Sequence, residues 1–350
     1  MKITVYGASG YQGRLVLAEL ARRGIEPILA GRDPARLTQA AEATGLHGAQ
    51  RRQAAAGDHR ALARAFTGSD AVINCAGPFT FTARAVAAAA IDAGCHYVDT
   101  CGEQLAIKDL FDTLASRARG AGVSVVPAAT DGCVLLDLLA SLVAARLDRI
   151  GEMRTVHLIG PGGGVSRGTL RSLAATIETV RSGGLVYDGG LWRPASPGRR
   201  GEVRLPGREE VLPVAGFAVP EVVTIPRHVR LARLEGLAEA GLGERLGDAP
   251  PPEVIASLPE GPAERERRAQ RFTYLAEAAG TDGRRVRGVV EGSDTYGLTA
   301  AIAVESARRL VAEPAKAGVL APAQAFDPGA FLDFLGAYGV RWAIEGGPGR

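Results

Sequence analysis

Three glycines set three residues apart constrain this chain more than any other feature. Residues 5–13 read VYGASGYQG, which places Gly7, Gly10 and Gly13 directly after the apolar run KITVY. They directly precede GRLVLAELARRG, whose apolar residues recur at helical spacing. A strand that enters a helix through such a loop has the form of a dinucleotide phosphate turn, and that context separates it from a chance glycine pattern. Gly7 allows the tight turn, Gly10 lets the backbone approach a pyrophosphate, and Gly13 lets helix and strand pack closely. The amides from Ser9 through Tyr11 to Gln12 then face the anion at the positive end of the helix.

The alternation continues. EPILAG reads as a second strand and DPARLTQAAEAT as a second helix. DAVINCAG, an alanine-rich helix around 82–93, HYVDTCG, a helix through 103–119 and VSVVPAA follow. Near-continuous apolar strands separated by helices specify a parallel sheet with helices on both faces. Right-handed crossovers make it doubly wound. The expected fold is therefore α/β, with a Rossmann doubly wound parallel sheet over residues 1–133. Beyond about residue 150 the pattern changes. MRTVHLIG, GEVRLPG, RFTYLAEAAG and RRVRGVVEG read as strands of a mixed sheet, with TDGR as a hairpin turn between the last two. Helices are expected at about 167–182 and 295–313, capped by Ser166 and Asp294. Residues 134–314 are thus assigned to a second, mixed α/β substrate domain, and 315–346 to a tail that completes the first. The segment 240–270, rich in Pro, Glu and Arg, reads as a mobile loop.

The second strand ends at AGRDPARL. Binders of unphosphorylated dinucleotides usually place an acid there for the ribose 2′-hydroxyl. This chain has Gly31 and Arg32 instead, and a guanidinium suits a 2′-phosphate. Asp33, before Pro34, reads as the cap of the next helix. The cofactor expected is NADP(H). Asn74, Cys75, Ala76, Gly77, Pro78 and Phe79 would pass beside the nicotinamide ribose, as would Cys101 and Gly102 at the next strand end. Asp99, Glu103 and Asp131 are acids on the same rim, each a possible general acid, ribose ligand or cap, with Glu103 favouring the cap. Cys75, Cys101 and Cys133 match no metal spacing and read as small buried hydrophobes, so no metal is expected. No tyrosine is followed four residues later by lysine, which removes the Tyr-xxx-Lys pair of short-chain dehydrogenases. In the second domain, GPGGGVSRGTLRS brings Ser166, Arg167 and Arg171 to a helix start. This is either a site for an anionic substrate group or a plain glycine-rich connection. Glu221, Arg227 and His228 lie together in AVPEVVTIPRHVR. Asp131, His228 and Tyr296 are the candidates for proton transfer.

Composition excludes other classes. With 350 residues, 46% hydrophobic, 23% charged and a net charge of +3, the chain has ample material for a core and no basic face for nucleic acid. No apolar run is long enough for a membrane span, and the opening residues form a strand rather than a secretion signal. Cysteine use fits a cytoplasmic protein. The expected partner is a small-molecule or carrier-bound substrate, and the assembly considered is a homodimer.

Together VYGASGYQGR, LAGRDPARL, INCAGPFT, HYVDTCGE, GGGVSRGTLRS and GVLAPAQA resemble the saccharopine dehydrogenase-like superfamily, most closely its bacterial branch that includes trans-acting enoyl reductases. The resemblance implies an NADP(H)-dependent enzyme with a Rossmann domain followed by a mixed α/β domain. It implies cofactor contacts from the phosphate loop, Arg32 and the Gly77–Pro78–Phe79 turn. After the sixth strand the family commonly has Gly-Phe-Asp with a proline and second Asp following. AATDGCVLLD keeps Asp131 and loses the aromatic, the proline and the spacing, so the family's substrate does not carry over. The expected activity is NADPH-dependent reduction of a conjugated C=C. The alternatives are a C=N (imine) reductase or amino-acid dehydrogenase of saccharopine or opine type, and an NADP-binding regulator without turnover.

Overall fold

A computed structural model describes residues 1–196, 199–205, 210–242, 250–313 and 316–346. The first part runs β1 (Ile3–Tyr6), α1 (Tyr11–Arg22), β2 (Ile28–Gly31), α2 (Pro34–Ala43), β3 (Arg51–Gln53), α3 (His59–Phe66), β4 (Ala71–Asn74), α4 (Phe79–Asp92), β5 (His96–Asp99), α5 (Gln104–Ala121), β6 (Ser124–Val126) and α6 (Asp131–Ala144). It continues as β7 (Ile150–Ile159), α7 (Arg167–Ala175), α8 (Ile177–Arg181), β8 (Leu185–Asp188), β9 (Leu191–Pro194), β10 (Arg200–Arg204), β11 (Val211–Gly216), α9 (Glu221–Thr224) and β12 (Leu231–Glu239). The last part is α10 (Pro252–Ser257), α11 (Glu264–Ala269), β13 (Arg271–Gly280), β14 (Arg285–Ser293), α12 (Thr295–Ala312), β15 (Gly318–Val319), α13 (Pro322–Ala325), α14 (Pro328–Phe334) and β16 (Arg341–Glu345).

The first sheet is parallel throughout, in the order β15-β6-β5-β4-β1-β2-β3. Its central strands are short and apolar because both faces are covered. Val5, Ile73 and Val98 point into one layer with Leu17, Leu135 and Ile302, while Tyr6, Val72 and Tyr97 point into the other with Phe66, Val86 and Leu110. Strand order reverses between β1 and β4, and a crevice opens at the carboxyl ends of strands at such a switch point.

The second sheet runs β10-β11-β12-β7-β13-β14-β16, with β8 on β12 and β9 on β8. Among the described residues only the β12–β7 pair is parallel. α6 lies between the two sheets, with Leu139 packed over Gly288 of β14, where a Cβ would come within 2.6 Å of it. That explains why CVLLDLLASLV is apolar on every side rather than striped. Among the described residues no helix is long and apolar enough to cross a membrane.

Several expectations change. The helix read at 167–182 breaks at Thr176 into α7 and α8. α12, read with the second domain, packs on α1, β4 and β5 of the first. The tail divides: β15 extends the first sheet beside β6, and β16 pairs with β14 of the second. The strand β12 carries Leu, Ala and Glu in LARLEGLAE, a composition that favours helix. Pairing with β7, β8 and β11 overrides that propensity. Of the segment read as a mobile loop, 243–249 lies outside the described residues, and 250–270 carries α10 and α11.

Candidate active site

The phosphate loop is built from its glycines. Gly7 has φ +78°, and a Cβ on it would lie 2.8 Å from the Ala76 amide nitrogen. A Cβ on Gly13 would lie 2.3 Å from the Gly7 carbonyl oxygen, so α1 rests directly on the turn. The Gly7 and Ala8 amides donate to Ala30 O at 2.9 and 3.3 Å, which ties the loop to β2. No side chain caps α1. The amides of Tyr11, Gln12 and Gly13 therefore keep their hydrogen-bonding capacity for an anion.

At the end of β2, Gly31 packs against Leu37 and Arg32 is exposed. Asp33 accepts the Arg36 amide at 3.1 Å and caps α2, so its carboxylate is committed to the helix. Arg36 turns back over the loop towards Ser9 O, 3.5 Å away. In a doubly wound fold the adenosine ribose binds beyond this strand end, where these two guanidinium groups would flank it. The cradle of glycines, the uncapped helix and this pair of arginines fit a phosphorylated dinucleotide.

The nicotinamide side shows which rim residues face outward and which brace the rim. Asn74 is fully buried: its Nδ2 donates to Tyr97 Oη at 3.0 Å and its Oδ1 accepts the Ala76 amide at 3.0 Å. Phe79 and Cys101 are buried too. These three, expected at the cofactor, support the loops from beneath. Cys75 and Ala76 are half-buried, Gly77 and Gly102 exposed, and the Gly77–Pro78 peptide is cis. Burial pushes the Cys101 and Cys133 thiols well above their ordinary range, as befits packed hydrophobes.

Two acids stitch this rim. Asp99 accepts the Cys101 and Ala128 amides at 3.0 and 2.8 Å and the Tyr97 hydroxyl at 2.9 Å. Burial still pushes its carboxyl up to about 6. Ala128 sits at φ 58°, a left-handed conformation costly for a residue with a Cβ, at the turn that carries the chain into α6. Glu103 caps a helix other than its own, accepting the Phe79 and Thr80 amides at the start of α4 at 2.8 and 2.6 Å.

Asp131 stands half-buried at the first turn of α6. Its Oδ2 accepts the Tyr274 hydroxyl at 2.6 Å, and its Oδ1 accepts the Thr299 hydroxyl at 3.0 Å. Burial raises its pKa, with the two hydroxyls and His157 pulling the other way. Tyr274 is buried and raised well above 10.0 by that burial and by Asp131. The ring of His157 packs on Tyr274 with centroids 4.6 Å apart, and Nε2 pairs with Glu221 Oε1 at 2.8 Å. Glu221 Oε1 also accepts the Thr155 hydroxyl at 2.7 Å. Gly132 makes room, since a Cβ there would lie 2.7 Å from His157 Cε1. Tyr274, Thr299 and His157 were not singled out from the sequence. They sit on two strands and a helix far apart in the chain, and no local spacing joins them.

The remaining candidates separate from this cluster. Tyr296 is one turn before Thr299 on α12, yet it faces the phosphate loop. Its ring meets Tyr11 at 5.2 Å, its hydroxyl accepts the Ser166 amide at 2.9 Å, and its carbonyl accepts Gln12 Nε2 at 3.2 Å. Ser166 caps α7 through the Thr169 amide. Arg167 pairs with Glu260 at 2.9 Å and donates to Ala256 O at 3.0 Å, so it is engaged within the protein. Arg171 is exposed one turn further on. Ser172 Oγ lies beside Gly77, where a Cβ would approach it to 3.2 Å, which brings α7 against the nicotinamide-side turn. His228, a proton-transfer candidate from the sequence, lies away from this cluster. It binds buried Asp137 at 3.0 Å in the middle of α6, about 9 Å along the helix from Asp131. Asp137 also accepts the Ala323 amide, so the pair clasps α6 to α13.

Comparison with known proteins gives similarities of sequence and of fold. A protein provisionally named a trans-acting enoyl reductase, from Mycobacterium tuberculosis, is 31% identical over 187 residues, covering 51% of this chain and 44% of its own. A lipid droplet localized protein of Caenorhabditis elegans is 27% identical over 241 residues, covering 62% and 55%. The chain therefore spans about half the length of these curated relatives. Saccharopine dehydrogenase (L-Glu forming) from Saccharomyces cerevisiae shares the fold with TM-score 0.63 at 13% identity, over 99% of this chain and 100% of that one. Residues 3–126 match the family model of the saccharopine dehydrogenase NADP binding domain, and the cofactor is NADP(H). Over those residues the chain is similar to that domain.

Proposed function

We propose that this protein is an NADPH-dependent reductase that saturates a conjugated C=C bond of a small or carrier-bound metabolite. The observation that carries the reading is Asp131. It is a carboxyl raised by burial, partly open at the nicotinamide rim, and held 2.6 Å from a tyrosine hydroxyl. NADPH bound on the phosphate loop would supply a hydride to the β-carbon of the unsaturated group. Asp131 Oδ2 would give a proton to the α-carbon, completing addition of hydride and proton across the double bond. Tyr274 and Thr299 hold both carboxyl oxygens in register, and His157, anchored by Glu221, holds the tyrosine ring. The half-buried carboxyl would then be reprotonated from solvent.

Reduction of C=C is favoured over C=N by the name of the mycobacterial relative, a trans-acting enoyl reductase. Following NADPH absorbance with a panel of enoyl thioesters, cyclic imines and oxo acid–amine mixtures tests the reading. Turnover with an enoyl thioester is expected, falling by about 10²-fold or more in Asp131→Asn. Turnover confined to imines would replace it with imine reduction. Tight NADPH binding with no turnover on the whole panel would favour a regulator.

A further inference from the structure

Glu260, in the turn between α10 and α11, reaches across from the second domain and lies over the phosphate loop. Its carboxylate pairs with Arg14, with Arg36 at 2.8 Å and with Arg167 at 2.9 Å. Arg14 and Arg36 also donate to Ser9 O, at 2.8 and 3.5 Å, so the carboxylate sits beside the loop itself. The backbone around it is docked as well. Glu260 O accepts the Arg167 amide at 3.1 Å, and Pro262 O accepts the Tyr11 hydroxyl at 2.8 Å. Gly261 lies flat on the Tyr11 ring, where a Cβ would come within 2.6 Å.

Three arginines around one carboxylate leave two positive charges uncompensated, and Arg32 stands exposed at the adjoining end of β2. A clasp between domains needs one such pair; an excess of fixed positive charge is what a dianion requires. Arg36 spans the gap between the end of β2 and Ser9, the gap in which the adenosine ribose of a dinucleotide lies. Resting on the NADP(H) assignment, we propose that Glu260 is an internal anion on the arginines of the 2′-phosphate subsite, and that cofactor binding exchanges its carboxylate for phosphate. The exchange lifts the strap 260–262 from the loop. A ligand shifts such an equilibrium only by its differential affinity for the two states. A dinucleotide without the 2′-phosphate has nothing to exchange, so the strap opens to NADP(H) and stays closed to NAD(H).

Calorimetric titration of the full chain with 2′,5′-ADP, 5′-ADP and NADPH tests this on wild type and Glu260→Gln. The variant is expected to tighten 2′,5′-ADP and NADPH by about fivefold or more, and to change 5′-ADP by less than about twofold. Hydrogen exchange on the wild type gives an independent reading. NADPH should speed exchange at the Arg167 amide, which donates to the strap, and NADH should not. Unchanged or weaker 2′,5′-ADP binding in Glu260→Gln overturns the proposal, as does greater protection of the Arg167 amide with NADPH. If the wild type binds neither 2′,5′-ADP nor NADPH, the cofactor assignment itself falls, and the strap proposal with it.

Discussion

Gly13→Ala is the sharpest single perturbation of the phosphate loop. The added methyl would stand 2.3 Å from Gly7 O and 2.9 Å from Ala8 Cα, both backbone atoms that cannot swing away. Restoring an ordinary 3.4 Å contact requires α1 to move by about 1 Å from the turn. Overpacking of this kind costs about 1–3 kcal/mol, offset by about 1 kcal/mol of helix propensity gained over glycine. The net loss of stability is about 0–2 kcal/mol, a shift of at most a few degrees in Tm for a chain of this size. Binding should suffer more. The amides of Tyr11 and Gln12 travel with the helix, and a misaligned hydrogen bond to a charged group forfeits about 1.5–3 kcal/mol. NADPH affinity should therefore fall by about 10- to 100-fold, read by calorimetric titration with scanning calorimetry of the same samples. Gly120→Ala is the control. It lies inside α5 with nothing within 4 Å of its Cβ position, so it should stabilise slightly and leave affinity unchanged. A folded Gly13→Ala protein that binds NADPH within twofold of wild type would refute the argument that contact between α1 and Gly7 sets the loop.

Two further outcomes are expected. Arg32→Glu should weaken NADPH by about tenfold or more and leave NADH nearly unchanged, because only the 2′-phosphate meets the new charge; equal losses for both would remove Arg32 from the subsite. Asp99 should make stability fall with pH. Its folded pKa is raised from 3.8 to about 6, so its stabilising protonated form is fully present below 3.8 and lost as pH rises through 6. The amplitude is about 3 kcal/mol, and the difference in unfolding free energy between wild type and Asp99→Asn, followed across that window, should carry it.

The parts of this protein that could be read from its amino acids are those whose causes are local. Gly7, Gly10 and Gly13 lie within seven residues, and a turn, a helix start and a close contact demand them there whatever else the chain does. Asp33 before Pro34, Ser166 before Arg167 and Asp294 before Thr295 announce helix starts, because a cap bonds amides only two or three residues ahead. The hairpin of β13 and β14 follows from TDGR and the alternation on either side. Arg32 directly after β2 implies the phosphorylated cofactor by its position in the sequence alone.

Side-chain direction and long-range pairing were not legible. Asn74 and Arg167 stand at positions suited to ligands, yet packing turns the first inward onto Tyr97 and commits the second to Glu260. Asp131 was visible as an acid on the rim, whereas its chemistry depends on Tyr274, Thr299 and His157, brought in from β13, α12 and β7. The strand β12 contradicts its own helix propensity because β7 and β11 offer it backbone partners, and no nearby residue records that offer. Glu260, in a segment that read as a loose loop, owes its position to arginines more than two hundred residues earlier on α1 and α2. Charge attraction and sheet pairing act through space at any separation along the chain. A sequence pattern registers only those forces whose partners are neighbours within it.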